Sequence, residues 1–117
     1  MKLYGLKNCD SCRAARKWLA EQGIDCAFHD LRADGLPPER LDAWLDAQGG
    51  EGLLNRRSTT WRQLSDADRE RAGTQTGARA LLLDNPTLIK RPVLEHSTGV
   101  TVGFSPAQYE AVLAGAD

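Results

Sequence analysis

Two cysteines separated by one helical turn are the residues of this sequence best suited to chemistry. Cys9 and Cys12 enclose an aspartate and a serine, and they follow a short apolar segment at the N-terminus. Where a strand is followed by a helix, the first backbone N–H groups of the helix are unpaired and its end carries partial positive charge. A thiolate at that point is stabilised, so its pKa falls. A C-x-x-C pair in this position therefore indicates thiol–disulfide chemistry.

The order of the two cysteines predicts different roles for them. Cys9 comes first and should project from the loop into solvent, whereas Cys12 follows one turn later and closer to the core. That asymmetry suits an exposed attacking thiol and a protected resolving thiol, so both are predicted to be catalytic. Lys7 and Arg13 are near in sequence and could add positive charge beside the thiolate. The structural alternative is that either thiol is only a small buried hydrophobic group.

Cys26 and His29 raise the alternative of a metal site. Together with Cys9 and Cys12 they would supply four ligands of the kinds that zinc accepts. However, a helix of about 12 residues between the two pairs is about 18 Å long, so Cys26 would lie at the opposite end of the sheet from Cys9. All four ligands of a zinc ion must lie about 2.0–2.3 Å from it. We therefore predict no metal, and we interpret Cys26 as a structural thiol.

The composition indicates an ordinary globular domain. The chain has 117 residues, of which 41% are hydrophobic and 26% charged, and one core normally serves about 100–200 residues. These values exclude a disordered tail and a collagen-like repeat. The 15 basic and 16 acidic residues give a net charge of −1, which argues against direct binding of nucleic acid. The 3 cysteines are too few for a disulfide framework.

The N-terminus and the apolar pattern bear on location. No apolar run approaches the roughly 20 residues that a membrane span needs, and the first residues lack the apolar core of a signal peptide. We therefore expect a cytoplasmic protein with no membrane partner. Its cysteines would then be in a reducing compartment. Nothing in the sequence suggests an obligate dimer, so we expect a monomer.

The elements that must position Cys9 form a β-α-β unit. Residues 1–6 show the two-residue alternation of side chains that is typical of a strand, and residues 26–31 show it again. Between them, apolar residues recur at spacings of three and four from Cys12 onward, which predicts a helix with one inward face. Gly23 is a plausible stop for that helix. A strand, a helix and a strand within about 30 residues predict two parallel strands.

The rest of the chain supplies helices and then a hairpin. Within the helical segment Pro38 suits a first turn, and Thr76 could cap a later helix. Residues 88–95 lead into a third strand, and a hairpin turn at 97–99 joins it to a fourth. Ser105 then caps a final helix, which a proline begins.

This order of elements, β-α-β, helices, β-β-α, predicts an α/β fold of the thioredoxin-like type. A parallel pair joined to an antiparallel hairpin gives a four-stranded mixed sheet with helices on its faces. We predict a single domain over residues 1–117, with a helical insertion at residues 37–84 between strands two and three.

Several short segments together resemble a known family. They are Tyr4-Gly5, Cys9-x-x-Cys12-Arg13-x-Ala15, Leu53-Leu54-Asn55, Leu88-Ile89-Lys90-Arg91-Pro92 and Val102-Gly103-Phe104. The match is with the ArsC/Spx family and its YffB-type branch, and it runs nearly end to end. The resemblance implies a thioredoxin-like fold with a helical insertion, in agreement with the order of elements.

The resemblance implies three possible functions. The YffB-type branch points to a glutathione-dependent thiol reductase, with glutathione as co-substrate and a disulfide or oxyanion as substrate. The arsenate-reducing branch implies reduction of arsenate with glutathione and glutaredoxin. The Spx branch implies a regulator that binds the RNA polymerase α subunit and uses its C-x-x-C pair as a redox switch.

The resemblance also implies roles for individual residues. Cys9 matches the nucleophile, Arg91 the arginine that faces its thiolate, and Pro92 a cis-proline beside the site. The residues expected to contact glutathione or substrate are Lys7, Asn8, Arg13, Arg57 and Pro92. Of the three arginines of arsenate reductases only Arg91 is clearly retained, since Asn55 replaces the first and the third is missing near Ser105. The alternative for Arg56, Arg57 and Arg62 is a solvated helix face.

Overall fold

Strands and helices follow one another along residues 1–115, the part of the chain that the computed structural model describes. The four strands are β1 (Lys2–Gly5), β2 (Ala27–Asp30), β3 (Val93–His96) and β4 (Gly99–Val102). The α-helices are α1 (Asp10–Glu21), α2 (Pro38–Leu53), α3 (Thr59–Arg62), α4 (Asp66–Glu70), α5 (Gln75–Asp84) and α6 (Pro106–Gly115). Single 3₁₀ turns cover Arg71–Gly73 and Pro86–Leu88. None of these helices combines the length and the apolarity that crossing a membrane requires.

The chain divides into two compact units. The first comprises Met1–Asp34 and the chain from Arg91 onward, and it holds the four described strands with α1 and α6. The second, Gly35–Lys90, holds α2 to α5 and both 3₁₀ turns. The helical segment predicted at residues 37–84 falls within this second unit. A single domain over residues 1–117 stays a prediction, and its last two residues lie outside the described part of the chain.

The four strands form one mixed sheet in the order β2-β1-β3-β4, which confirms the predicted fold class. β1 pairs with β2 in parallel, with Leu3 opposite Phe28 and Gly5 opposite Asp30. β3 runs antiparallel to both β1 and β4. Because β1 and β2 are parallel, their carboxyl ends meet at one edge of the sheet. The loop that carries Cys9 begins at this edge, next to the end of β2.

The same register separates Cys26 from Cys9. Ala27 lies opposite Lys2, at the other end of β1 from Gly5. The strand is about 10 Å long between Lys2 and Gly5. Cys26 directly precedes β2, whereas Cys9 lies beyond the carboxyl end of β1. The predicted placement of Cys26 at the opposite end of the sheet from Cys9 is therefore confirmed, and the absence of a metal stays a prediction.

α1 packs against the sheet through an apolar stripe. Its buried residues are Cys12, Ala15 and Leu19, at the spacings of three and four that the sequence predicts. The helix ends before Gly23, whose φ of 71° belongs to the left-handed region that glycine accepts readily. One buried hydrophobic cluster of this unit contains Leu3, Ala15, Leu19, Leu94 and Tyr109.

Two predicted helix starts have different outcomes. Ser105 caps α6 as predicted, because its Oγ accepts a hydrogen bond from the N–H of Gln108 at 3.1 Å. Thr76 does not cap α5. That role belongs to Thr74, whose Oγ1 accepts a hydrogen bond from the N–H of Gly77 at 3.0 Å. α5 therefore begins earlier than the sequence pattern indicates.

Residues 88–90, the start of the segment predicted to lead into the third strand, stay outside the sheet. Ile89 pairs with Leu54 in an isolated antiparallel bridge, and the N–H of Lys90 donates to the carbonyl oxygen of Leu53 at 2.7 Å. These bonds hold the segment within the second unit, and β3 begins at Val93.

Candidate active site

Cys9 occupies the N-cap of α1, with an extended backbone at φ −95° and ψ 125°. Its carbonyl oxygen accepts a hydrogen bond from the N–H of Arg13 at 2.9 Å, which closes the first helical turn. The Cys9 side chain is partly exposed, whereas Cys12 is 0% exposed. This is the asymmetry that the order of the two cysteines predicts. The catalytic roles of both thiols stay predictions.

The surroundings of Cys9 lower the pKa of its thiol. Partial burial disfavours the thiolate, but the N–H and the thiol of Cys12 and the guanidinium of Arg91 all form hydrogen bonds that favour it. Arg91 also attracts the thiolate through its charge. Hydrogen bonds donated to the charged form stabilise that form. Together these contacts outweigh burial, so more of Cys9 is ionised at neutral pH than in an ordinary thiol.

Cys12 is held in the opposite state. Burial, assisted by the hydrogen bond and the charge of Cys9, raises the pKa of Cys12 to about 12. Cys12 is therefore a protonated thiol at neutral pH, able to donate a hydrogen bond to Cys9. Its position depends on Gly5, the last residue of β1, because a Cβ atom there would overlap the Cys12 sulfur and lie 3.3 Å from the Cys12 Cβ.

Arg91 approaches Cys9 from the loop that precedes β3. The Arg91–Pro92 peptide bond is cis, which is the geometry that the resemblance implies. Pro92 is buried, and its carbonyl oxygen accepts a hydrogen bond from the N–H of Gly103 at 2.8 Å. This loop places the Arg91 guanidinium within hydrogen-bonding reach of the Cys9 sulfur. A direct contact between Pro92 and a substrate stays a prediction.

Cys9 and Arg91 share a cleft of ≈ 560 Å³. The cleft is lined by Leu6, Lys7, Asn8, Cys9, Asp30, Arg32, Ala33 and Arg91. The structure therefore brings Lys7 and Asn8, both predicted to contact glutathione or substrate, to the same cleft as the predicted nucleophile. The volume lies in the range of roughly 300–1,000 Å³ that small-molecule sites occupy.

Arg13 is placed differently from the prediction that it assists the Cys9 thiolate. Its guanidinium pairs with the carboxylate of Asp10 in the first turn of α1. Arg13 lines a second cavity, of ≈ 570 Å³, which Cys26 also lines. The physical reason is the spacing of three residues on a helix, which puts Asp10 and Arg13 side by side.

Arg57 lies in the second unit, in the turn between α2 and α3, where its N–H donates to Oδ1 of Asn55 at 3.1 Å. Arg56 belongs to the same turn, pairs with Glu51 and lies 4.7 Å from the centre of the Trp61 ring. Neither arginine stands on a helix, so the interpretation as a solvated helix face is wrong for these two. A contact between Arg57 and glutathione stays a prediction.

Asp30 is a residue of the cleft that sequence reasoning missed. Its side chain is buried (6% exposed), and its carboxylate accepts hydrogen bonds from the N–H groups of Lys7 at 3.2 Å, Arg32 at 2.8 Å and Ala33 at 2.9 Å. These bonds, that of Ala33 above all, lower the pKa of Asp30. The sequence could have indicated Asp30 through its position. It ends a predicted strand that is parallel to the strand before Cys9, so the ends of both strands lie close together.

Cys26 is a half-buried thiol away from this cleft. Burial is the main cause that raises its pKa, and the charge of Asp25 adds to the effect. Its sulfur lies 3.7 Å from the carbonyl oxygen of Ala27. These features agree with the interpretation of Cys26 as a structural thiol.

Comparison with known proteins matches residues 4–112 to the model of the ArsC family. A solved structure named YFFB protein is 42% identical over 96% of this chain and 97% of its own, with a TM-score of 0.89. An arsenate reductase (ArsC) related protein from Brucella melitensis is 46% identical over 96% of this chain and 92% of its own, with a TM-score of 0.74. The global transcriptional regulator Spx of Streptococcus pyogenes is 29% identical over 95% of this chain and 83% of its own. The predicted resemblance is confirmed.

Proposed function

This chain belongs to the ArsC family, and we propose that it acts as a glutathione-dependent thiol–disulfide oxidoreductase with Cys9 as the nucleophile. The observation that carries the proposal is the state of Cys9. It is a partly exposed thiol at the N-cap of a helix, with a lowered pKa and the guanidinium of Arg91 beside it. A thiol of this kind is the attacking group of thiol–disulfide exchange.

The first chemical step forms a mixed disulfide on Cys9. The thiolate attacks one sulfur of a disulfide, the S–S bond of the substrate breaks, and the other half leaves as a thiolate that takes the electron pair. A new S–S bond joins Cys9 to the attacked sulfur. Arg91 and the N–H of Cys12 favour this step because they keep Cys9 ionised before the attack.

The second step releases Cys9, either through Cys12 or through a second glutathione. An attacking thiol must be ionised, and the pKa of Cys12, raised to about 12, lies far above neutral pH. The largest cause of that pKa is burial, which does not depend on the charge of Cys9. We therefore favour glutathione as the resolving thiol, with Cys12 as a hydrogen-bond donor to Cys9.

The test of this proposal is the reactivity of Cys9. Alkylation rates measured against pH should show a Cys9 pKa below the ordinary thiol value of about 8.5. Incubation with oxidised glutathione, followed by mass spectrometry, should place a single glutathione on Cys9, and Cys9→Ser should abolish that adduct. An ordinary pKa, or an adduct elsewhere in the wild type, would remove the basis of the proposal.

A redox-sensing regulator that binds the RNA polymerase α subunit is a second candidate. It is favoured by the 29% identity with Spx across 113 residues. The test is co-purification with the C-terminal domain of that subunit under reducing and oxidising conditions. Retention that changes with the redox state, and that is lost in Cys9→Ser, would support this function over an enzymatic one.

Arsenate reduction is a third candidate, which the name of the Brucella melitensis relative favours. Among the arginines of arsenate reductases only Arg91 has a clear counterpart here, and each charge-assisted contact to an oxyanion contributes about 1.5–3 kcal/mol. We therefore expect weak arsenate binding at best. Arsenate turnover coupled to glutathione and glutaredoxin, present in the wild type and absent in Cys9→Ser, would establish it.

A further inference from the structure

One wall of the Cys9 cleft is the turn that follows β2, residues 31–34. The turn is closed by the N–H of Asp34, which donates to the carbonyl oxygen of Asp30 at 2.8 Å. The N–H of Leu31 continues the sheet by donating to the carbonyl oxygen of Gly5, also at 2.8 Å. The turn is therefore fixed to the end of β1, where the Cys9 loop begins.

Asp30 fixes this turn to the Cys9 loop a second time. Its carboxylate binds the N–H groups of Arg32 and Ala33 in the turn and the N–H of Lys7 in the loop. A buried carboxylate with several N–H donors is well satisfied. Its charge is thus compensated mainly by backbone N–H groups, and it makes no ion pair with the guanidinium of Arg32.

The cleft contains three cationic residues, and they are not equivalent. Arg91 interacts with the Cys9 sulfur, and Lys7 lies close enough to Asp30 to lower the pKa of that carboxyl. Arg32 lines the cleft and is exposed. Within residues 1–115, no hydrogen bond or ion pair occupies its guanidinium, whereas Arg13 pairs with an acidic neighbour.

We propose that Arg32 binds a carboxylate of the disulfide that Cys9 attacks, and that it selects disulfides with anionic arms. This inference rests on the proposed function, and it names the substrate class of the same site. A guanidinium presents two parallel N–H donors that match a carboxylate, which makes arginine the residue best suited to this contact. Arg91 is engaged by the thiolate, so a second cation is needed to bind a carboxylate.

The step that Arg32 assists is the formation of the mixed disulfide. With oxidised glutathione, Cys9 forms an S–S bond to one glutathione sulfur, the original S–S bond breaks, and the other glutathione leaves as a thiolate. Cys9 is oxidised as that glutathione is reduced, so no further oxidant is required. Arg32 remains outside this exchange and holds one end of the reacting molecule.

The experiment compares three disulfides of different charge. Rates of Cys9 mixed-disulfide formation are measured with oxidised glutathione, which is anionic, with bis(2-hydroxyethyl) disulfide, which is neutral, and with cystamine, which is cationic. Arg32→Ala should lower the rate with oxidised glutathione about fivefold, as expected for one partly screened ion contact, and leave the neutral disulfide unchanged. Arg32→Glu should reverse the preference in favour of cystamine.

Arg16→Ala is the matched control, since Arg16 is an exposed arginine of the same unit that lies 4.2 Å from the centre of the Phe28 ring, outside the cleft. It should leave all three rates unchanged. Raising the salt to 1 M, where the Debye length is about 3 Å, should shrink the effect of Arg32→Ala.

The outcomes separate this inference from the proposed function. An equal change of all three rates in Arg32→Ala would mean that Arg32 only supports the fold, and no change in any rate would mean that it does not contact the ligand. Either result overturns the inference while the proposed function stands. A wild-type Cys9 that reacts with none of the three disulfides would overturn both.

Discussion

Replacing Gly5 by alanine should destabilise the fold and disturb Cys9 together. The added Cβ would overlap the sulfur of Cys12, which is 0% exposed and cannot move into solvent. Forcing a methyl group into a packed core costs about 1–3 kcal/mol. The reduced entropy of the unfolded chain returns about 0.4–1 kcal/mol. The midpoints of these two ranges leave a net loss of about 1.3 kcal/mol, which should lower the Tm by about 5 °C, given an unfolding entropy of about 2.1 cal/mol/K per residue.

The same substitution should slow the alkylation of Cys9 at neutral pH. Displacing Cys12 weakens the two hydrogen bonds that it donates to Cys9, so the pKa of Cys9 moves back up towards its ordinary value. Thermal unfolding followed by circular dichroism measures the first effect. The rate of iodoacetamide labelling against pH measures the second.

Two further variants test whether overlap with Cys12 causes the loss of stability in Gly5→Ala. In a Cys12→Ala background the sulfur is gone, so Gly5→Ala should cost less than in the wild type, with an interaction energy of about 0.5 kcal/mol or more between the two sites. Gly73→Ala is the control, because a Cβ atom there meets nothing within 4 Å. Overlap with the Cys12 sulfur is not the cause if Gly5→Ala lowers the stability as much in the Cys12→Ala background, or if it lowers the stability as little as Gly73→Ala does.

Three other predictions follow from the thiol environments. Arg91→Ala should raise the pKa of Cys9, because Arg91 lowers it by a hydrogen bond and by its charge, and an unmoved alkylation midpoint would contradict this. Limited iodoacetamide treatment at pH 7 should label Cys9 before Cys26, whose pKa burial raises, and mass spectrometry that finds equal labelling would count against it. Stability should fall as the pH rises from 9.0 towards about 12, because unfolded Cys12 ionises while the folded thiol keeps its proton. Urea unfolding should show this loss in the wild type and a smaller loss in Cys12→Ala.

Local sequence signals predicted those parts of the fold where one residue decides the backbone. Gly23 ends α1 and Ser105 caps α6, and both are identifiable from residue type and spacing alone. Thr74 and Thr76 show the limit of such signals, since two similar residues can each cap a helix. The structure selects Thr74, whose side chain meets the N–H of Gly77.

The candidate site was predictable only in part, because a residue can have more than one possible partner in the sequence. The helix start marks Cys9, but the sequence offers Arg13 two partners, the thiolate and Asp10, and the spacing of three residues favours Asp10. Asp30 joins the cleft only because Gly5 lies opposite it in the sheet. Strand register depends on contacts distant in sequence, so no local pattern around Asp30 reveals its partners.

Gly5 pairs with Asp30 across two neighbouring strands. The reactive sulfur of Cys9 and the proposed substrate contact of Arg32 therefore belong to different segments. The sulfur that reacts leaves the sheet from one strand, and the turn that contains Arg32 leaves it from the neighbouring strand. Backbone bonds and the Asp30 carboxylate hold these two segments in register, so the exposed side chains of Arg32 and Ala33 can be exchanged without displacing the sulfur. Related chains could thus acquire new substrates through substitutions at positions 32 and 33 while retaining the same attacking group.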